Sequence, residues 1–387
     1  MTRAALINNK TDAIMKFIRC TCENLANPVK IVAGIVERNQ SLPVVSNILV
    51  EQKDAGVRFT TTDLDIQIQT TSPVGVEGVQ TACTISAQKL NEILNSFKTQ
   101  DALELEIDDD NRVTLSSKNS QFNLQTLPVR DFPVITGNDW LTDFTIEAKT
   151  LRYLLAMTSF AMANKDIRYF LNGVLMIVDN GLIKCVATDT HRLSYCDATV
   201  EGATAVEKPI KATIPRKTVR ELLRILPEDD TPVQVRLSST QCAFHFDNVE
   251  FLSKLVDGQF PDYEKVMPNL EINAQAVSIN REDLITALRR VQILTNEKFH
   301  GVRWLLSKNQ LLIQGSNSEQ EEANQVIDID WSWGDLDIGF NVIYLLDVLT
   351  SLKNTEVVFH FAATPKSVLI TMPDSMNFQY VIMPMRI

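Results

Sequence analysis

The stretch VSINREDLITALRRVQILTNEK, residues 277–298, holds a strand and a helix back to back. Val277, Ser278 and Ile279 alternate apolar and polar, the period of a half-buried strand. From Asn280 the period changes. Leu284, Ile285, Leu288, Val291 and Leu294 fall on one face of a helix over 280–298. Asn280 has the short polar side chain that accepts from first-turn amides, and Glu282 and Asp283 follow where a helix N-terminus favours acids. The same junction occurs twice more, with strands over 144–146 and 16–21 leading into helices over 147–165 and 22–38. Pro28 inside the first of these predicts a kink or a late start.

Working outward, the whole chain is written three times. Phe17 answers to Phe144 and Val277, and Thr62-Asp63 to Thr188-Asp189 and Ser316-Asn317. Ile85 answers to Ile214 and Ile338, and Phe122 to Phe251 and Phe378. These markers recur 124 to 133 residues apart, the period of a domain rather than of a solenoid unit. Strands are expected over 47–52, 57–68 and 80–85, then 173–178, 182–195 and 211–214, then 302–306, 310–315, 325–330 and 336–339. A second helix follows in each third, over 86–98, 215–226 and 340–353. Closing strands follow, such as 103–107 with Leu103, Leu105 and Ile107 on one face. The class is α+β, two helices on one sheet face in each third. Polar, turn-forming stretches at 136–139 and 267–269 mark the boundaries. The expected organisation is an extension over 1–14, with Met15-Lys16-Phe17 reading as a second beginning, then domains 15–141, 142–272 and 273–387.

A chain of 387 residues is too long for one core. No apolar run approaches the roughly 18 residues of a membrane span, and the start lacks a signal-peptide core. The six cysteines include no Cys-x-x-Cys pair and read as reduced thiols of a cytosolic protein. A net charge of −11 argues, taken whole, against nucleic acid. Divided by element it argues the other way. The six helix spans carry sixteen Lys and Arg against nine Asp and Glu, +7, leaving −18 for the rest. Helix propensity favours Glu as much as Lys, so it does not account for the bias. A basic helical surface attracts a phosphate backbone without reading its sequence, while an acidic exterior repels it.

Catalytic patterns are missing. His191, His245, His300 and His360 form no metal-ligating spacing, and no nucleophile elbow, phosphate loop or dinucleotide fingerprint occurs. The acidic run 108–111 has a hairpin tip's composition rather than a calcium loop's spacing. Asp63 and Asp65 are the one carboxylate pair that an acidic metal-dependent hydrolase would use. The third repeat has Asn317 and Glu319 there, so Asp63 reads as a turn residue. No cofactor or metal is expected.

Five stretches then make the chain recognisable: DIRYFLNG at 166–173, VATDTHRL at 186–193, KLVDGQFPDY at 254–263, NEKF at 296–299 and YVIMPMRI at 380–387. Over 15–387 the chain resembles the bacterial DNA polymerase III β subunit family, the sliding clamps. The resemblance implies a DNA clamp fold of three similar domains. Two copies would close head to tail into a homodimeric ring with helices lining the pore and sheets outside. It implies a non-catalytic processivity factor of the cytoplasm that encircles double-stranded DNA without reading sequence.

The partners implied are the polymerase α subunit, the clamp loader, translesion polymerases, ligase and mismatch repair factors, and no membrane. A specialised, drug-resistant clamp paralogue is the alternative. By position, Arg38, Lys165, Tyr169 and Phe170 would touch DNA. Phe122 and Leu124 of one copy would meet Ile293 and Leu294 of the other. A partner peptide would bind at Leu171, Thr188, Asp189, His191, Arg192, Leu193, Pro261, Lys265, Val266, Asn341, Tyr344, Val381, Met383, Pro384, Met385 and Arg386. Lys165, Phe170, Thr190 and Lys265 depart from residues common in the family at those positions.

Overall fold

The computed structural model describes residues 15–37, 41–53, 56–74, 81–108, 112–137, 139–200, 208–268, 275–362, 366–373 and 375–386. The expected extension over 1–14 lies outside them. The chain divides into two compact units. One holds 1–140 with 233–236 and 241–254; the other holds 141–232, 237–240 and 255–387.

Six α-helices stand where the sequence puts them: α1 (Cys22–Val32), α2 (Ala87–Asn95), α3 (Ala148–Ser159), α4 (Arg216–Ile225), α5 (Arg281–Gln292) and α6 (Val342–Ser351). Asn280 caps α5 as its chemistry requires, its Oδ1 accepting from the amides of Glu282 and Asp283 at 3.0 and 3.1 Å. Ser86 and Asn341 cap α2 and α6 in the same way. The start of α1 at Cys22 is not delayed by Pro28; the helix runs through it and tightens into a 3₁₀ turn at Ala33–Ile35. α3 and α5 end several residues before the expected 165 and 298.

Each third is itself written twice, as strand, helix and three strands. The expected single sheet per third is replaced by two in every third, because the opening strands trade places. Met15–Thr21 pairs with Ala102–Ile107 of the other half, and Ala82–Ser86 with Asn47–Lys53. In the last third, Gln275–Asn280 pairs with Glu356–Phe361 and Leu336–Asn341 with Gly301–Ser307. The helix after each opening strand carries the chain away from it, so its neighbour comes from the other half. Sheets also run from one third into the next. Ile66–Ser72 pairs with Val249–Lys254 in the first unit, and Arg192–Thr199 with Ser375–Ile382 in the second. The two remaining sheets have four strands each, ending on Met15–Thr21 and Ser120–Leu124 in one and on Glu322–Asp328 and Leu336–Asn341 in the other. By position in the repeat, Ser120–Leu124 and Glu322–Asp328 correspond to strands that pair across thirds elsewhere.

The expected strands over 57–68 and 182–195 each break into two. In the first, Gly56–Thr62 and Ile66–Ser72 are joined by a turn in which Asp63 Oδ1 accepts from the amides of Asp65 and Ile66 at 3.0 and 2.7 Å. Asp189 does the same for His191 and Arg192, and Asn317 for Glu319 and Glu321. Leu64 and Thr190 take positive φ, 78° and 76°, to complete the two turns. Asp63 is therefore a turn residue, as its replacement by Asn317 in the third repeat suggests. An acceptor oxygen is what the position requires.

Helices of one third pack on each other and on strands of its sheets. The C-terminal carbonyls of the second helix take a donor from the first helix in every third. Cys22 Sγ donates to Leu94 O at 3.4 Å, Arg152 to Leu223 O, and Arg281 to Leu349 O at 3.1 Å. In the last third the core is aromatic, with buried Trp304 meeting Phe340 and Phe359 at ring separations of 5.2 Å.

Candidate functional site

The turn at Asp189 fixes a buried arginine. Thr188 Oγ1 accepts from the Thr190 amide at 3.0 Å and donates to Arg192 O at 2.6 Å, which sets the backbone of Arg192. Its guanidinium is then fully engaged. Nε donates to Asp189 Oδ2 at 3.0 Å, one Nη to Asp347 Oδ2 at 2.6 Å, and the other to Phe160 O at 2.7 Å. The Tyr344 ring lies 4.3 Å from its carbon. Burial opposes the charge, but Tyr380, Asp347 and Asp189 outweigh it and raise the Arg192 pKa further. Two carboxylates, a carbonyl and a ring face satisfy a cation that would otherwise cost several kcal/mol to bury. Because Phe160 follows the last residue of α3, the cation also sits at a helix C-terminus, where the dipole favours it.

Beside this arginine opens an apolar cavity of about 150 Å³. Thr188, Arg192 and Leu193 form one wall, Val381 and Met383 a second, and Pro261, Asp262, Tyr263 and Val266 a third, with Thr190 at the turn. Its floor is a packed cluster of Leu175, Ile177, Val186, Leu193, Phe260, Tyr263, Leu369 and Val381, and Tyr195 stacks on Tyr263 at 6.2 Å. Burial pushes the Tyr263 hydroxyl up to about 12, with Glu264 and Asp262 adding to it. At the rim Lys265 donates to Asp262 at 2.9 Å, an exposed pair.

The structure divides the sixteen candidate peptide residues. Seven line this cavity: Thr188, Arg192, Leu193, Pro261, Val266, Val381 and Met383. Asp189, His191 and Tyr344, with Arg192 again, line an open polar cleft of about 650 Å³. His191 stacks on Tyr344 at 6.4 Å. Met385 and Arg386 line a third cleft of about 600 Å³ with Asn296, Phe299 and Arg303. Leu171 is buried, Lys265 is on the rim, and Asn341 caps α6. Pro384 lies between the Met383 amide, which donates to His191 O, and the Met385 amide, which donates to Gly339 O, both at 2.9 Å. Sequence reasoning did not assign Asp262 and Tyr263 to the pocket, although both end the stretch that carries the resemblance. Asp347 was counted there only as an acid in a helix, and its pairing with Arg192 crosses 155 residues.

Of the candidate DNA contacts, Arg38 lies outside the described residues. Lys165, Tyr169 and Phe170 occupy the loop between α3 and Gly173–Asp179. Lys165 is exposed with φ 59°, and Tyr169 is 73% exposed. Phe170 is half-buried against Gly258. The four candidate interface residues stand as follows. Phe122 and Leu124 belong to the edge strand Ser120–Leu124, with Phe122 edge-on to Phe97 at 6.0 Å and Leu124 buried. Ile293 follows α5 and is 77% exposed, and Leu294 is half-buried.

The observed helices keep a basic balance, eleven Lys and Arg against six Asp and Glu. Part of that charge works internally. Arg152 and Arg281 close helix ends, Lys149 pairs with Glu147 and Asp230, and Arg224 with Glu221. No group of three or more metal-ligating side chains occurs among the described residues.

Comparison with known proteins accounts for this arrangement. The description "DNA polymerase III beta subunit" matches in three consecutive parts: its N-terminal domain at 15–136, central domain at 145–262 and C-terminal domain at 265–386. The beta sliding clamp of Pseudomonas aeruginosa is 37% identical over 365 residues, 94% of this chain and 98% of that protein. That of Haemophilus influenzae is 36% identical over 368 residues, with the same shares covered. A crystal structure of the P. aeruginosa sliding clamp bound to griselimycin, 36% identical, matches with a TM-score of 0.90 over 96% of this chain and all of that one. This chain belongs to the family of the DNA polymerase III beta subunit, the beta sliding clamps.

Proposed function

We propose that two copies of this chain close head to tail around duplex DNA and tether the replicative polymerase to it. The observation that carries the reading is that Ser120–Leu124, near one end of the chain, and Glu322–Asp328, near the other, end four-stranded sheets, whereas their counterparts in the repeat pair across thirds, Val249–Lys254 with Ile66–Ser72 and Ser375–Ile382 with Arg192–Thr199. Pairing each with the opposite edge of a second copy satisfies both, and closed symmetry limits the assembly to a ring. Phe122 and Leu124 on one side would meet Ile293 and Leu294 on the other. Arg38, Lys165, Tyr169 and Phe170 would face the duplex within a basic helical lining. Their contacts would be weak and independent of sequence, so the ring slides. Processivity then comes from topology, and no catalytic step is required.

The apolar cavity beside Arg192 would take Leu or Phe side chains of a short peptide from the polymerase α subunit, the clamp loader, translesion polymerases, ligase or mismatch repair factors. Met383 gives one wall the adaptability that varied partners need. Domain limits at 15–141, 142–272 and 273–387, and a cytoplasmic location, go with this reading. No described helix is long and apolar enough to cross a membrane.

The test is retention on DNA. The protein is loaded by its loader onto a nicked circle, the complex is isolated at moderate salt, and the circle is cut once. The expected result is stable retention before the cut and release after it. Salt-sensitive binding indifferent to the cut would overturn the ring.

A further inference from the structure

The loop over 160–173 carries Lys165 and Tyr169. Ala161, Met162, Ala163 and Leu171 are buried at its stems, but its tip has little apolar anchorage. Ile167 is 88% exposed and Lys165 sits in the left-handed region. Its order comes from hydrogen bonds. The Asn172 side chain closes the loop on itself, its Oδ1 accepting from the Asp166 amide at 2.9 Å and its Nδ2 donating to Asp166 O at 2.8 Å. Arg168 clamps the Asp166 carboxylate through its amide and guanidinium. One outside residue holds both stems. The Arg216 amide donates to Asn172 O at 2.9 Å, and its guanidinium donates to Met162 O at 2.9 Å and Ala163 O at 3.2 Å. Its Nε is buried without a hydrogen-bond partner in the same place.

We infer that Arg216, the first residue of α4, is a positioning residue that fixes the loop carrying Lys165 and Tyr169, and does not itself contact DNA. The inference rests on the reading of that loop as a DNA contact. A guanidinium suits the task better than an ammonium. Both bonds leave one nitrogen, Nη1, whose two N–H groups are fixed in the guanidinium plane, and holding the loop in advance spares the ordering cost when DNA arrives. Arg220, exposed one turn further along α4, remains available to phosphate.

Arg216→Lys and Arg216→Gln separate the roles. Lysine keeps the charge and loses the fixed planar N–H pair; glutamine loses both. Two measurements are made on the full-length protein. One is amide hydrogen exchange across 160–173. The other is affinity for a short duplex of fixed sequence over a range of salt. The expected result is faster exchange confined to this loop in both variants. DNA affinity falls by a similar factor in both, about five- to tenfold for lost charge-assisted hydrogen bonds, with the salt slope unchanged. A lysine variant matching the wild type in both measurements overturns the inference. So does a glutamine variant whose salt slope drops by about 0.9, the signature of one lost phosphate contact. Lys165→Gln and Tyr169→Ala are run alongside. If neither weakens DNA binding, the loop is not a DNA contact and that reading fails, while the exchange measurement still decides what Arg216 does to the loop.

Discussion

The Ser72 hydroxyl donates to the Asn24 carbonyl at 3.1 Å, and Asn24 O is the acceptor that an amide at Pro28 would have used. An internal proline leaves the carbonyl four residues earlier without its helical partner. Here a side chain from the strand Ile66–Ser72 supplies the missing donor, which explains how α1 runs through Pro28. Ser72→Ala should cost about 1 kcal/mol in urea unfolding. In a Pro28→Ala background the restored amide reaches Asn24 O, and the same change should cost less than half as much. Equal costs in both backgrounds would dissociate the two residues.

The Arg192 guanidinium is satisfied only as a set. Arg192→Ala strands Asp189 and should destabilise the protein by about 3 kcal/mol, the low end for a broken buried pair because Asp347 keeps some water. Arg192→Lys should lose most of the same stability despite keeping the charge, since one ammonium cannot reach two carboxylates and Phe160 O together. Urea midpoints of the three proteins check both statements.

Met383 and Met385, two residues apart, serve different cavities. Met383→Ala should weaken binding of a Leu- and Phe-bearing partner peptide about tenfold, some 1.4 kcal/mol. Met385→Ala alone should change it far less. Together they should weaken polymerase binding and leave the dimer intact. Fluorescence anisotropy and sedimentation read the two effects, and unchanged peptide affinity in the double variant removes the pocket assignment.

Ile293→Asp tests the proposed interface without touching the core. At 77% exposure its effect on the fold should stay within about 0.5 kcal/mol. A carboxylate in an apolar contact between copies should shift the protein to monomer in analytical ultracentrifugation. A persistent dimer would move the interface elsewhere.

His360 is half-buried, with Nε2 at 2.9 Å from Thr371 Oγ1, and burial holds its pKa below the ordinary value. The folded state thus binds the proton less readily than the unfolded chain. The contribution to stability is complete above the unfolded pKa of about 6.5 and is lost as pH falls toward the folded value. His360→Gln should flatten the decline in urea midpoint between pH 7.5 and pH 5. An unaltered pH dependence would mean that His360 plays no part in it.

What could be read from the sequence was local. Asn280 announced α5 because a cap acts within three residues, and the apolar stripe from Leu284 to Val291 faces the core as its spacing requires. Helix ends were harder. The chain leaves α3 at Ser159, where Arg192 reaches Phe160 O from the following hairpin, a donor that no local pattern reveals. Asp63 reads as a turn residue, yet the sequence puts continuous strands over 57–68 and 182–195 because Thr, Leu and Ile dominate there. A single side-chain oxygen and a positive φ decide the matter. The pocket was legible only through resemblance. Its walls come from Thr188, Pro261 and Met383, three distant segments, and the same resemblance did not reveal that sixteen residues would fall into separate cavities.

The trade of opening strands has a consequence for how the chain comes together. Met15–Thr21 has no neighbour until Ala102–Ile107 has been made, and Ala82–Ser86 waits on Asn47–Lys53. Neither half of the first third can finish its sheet alone, although the two halves look like tandem copies. No piece smaller than the pair can complete the sheet that Met15–Thr21 begins, and each pairing closes a loop of tens of residues. Long-range closures of that kind slow folding. A chain cut between the two halves should yield fragments that refold only on being mixed.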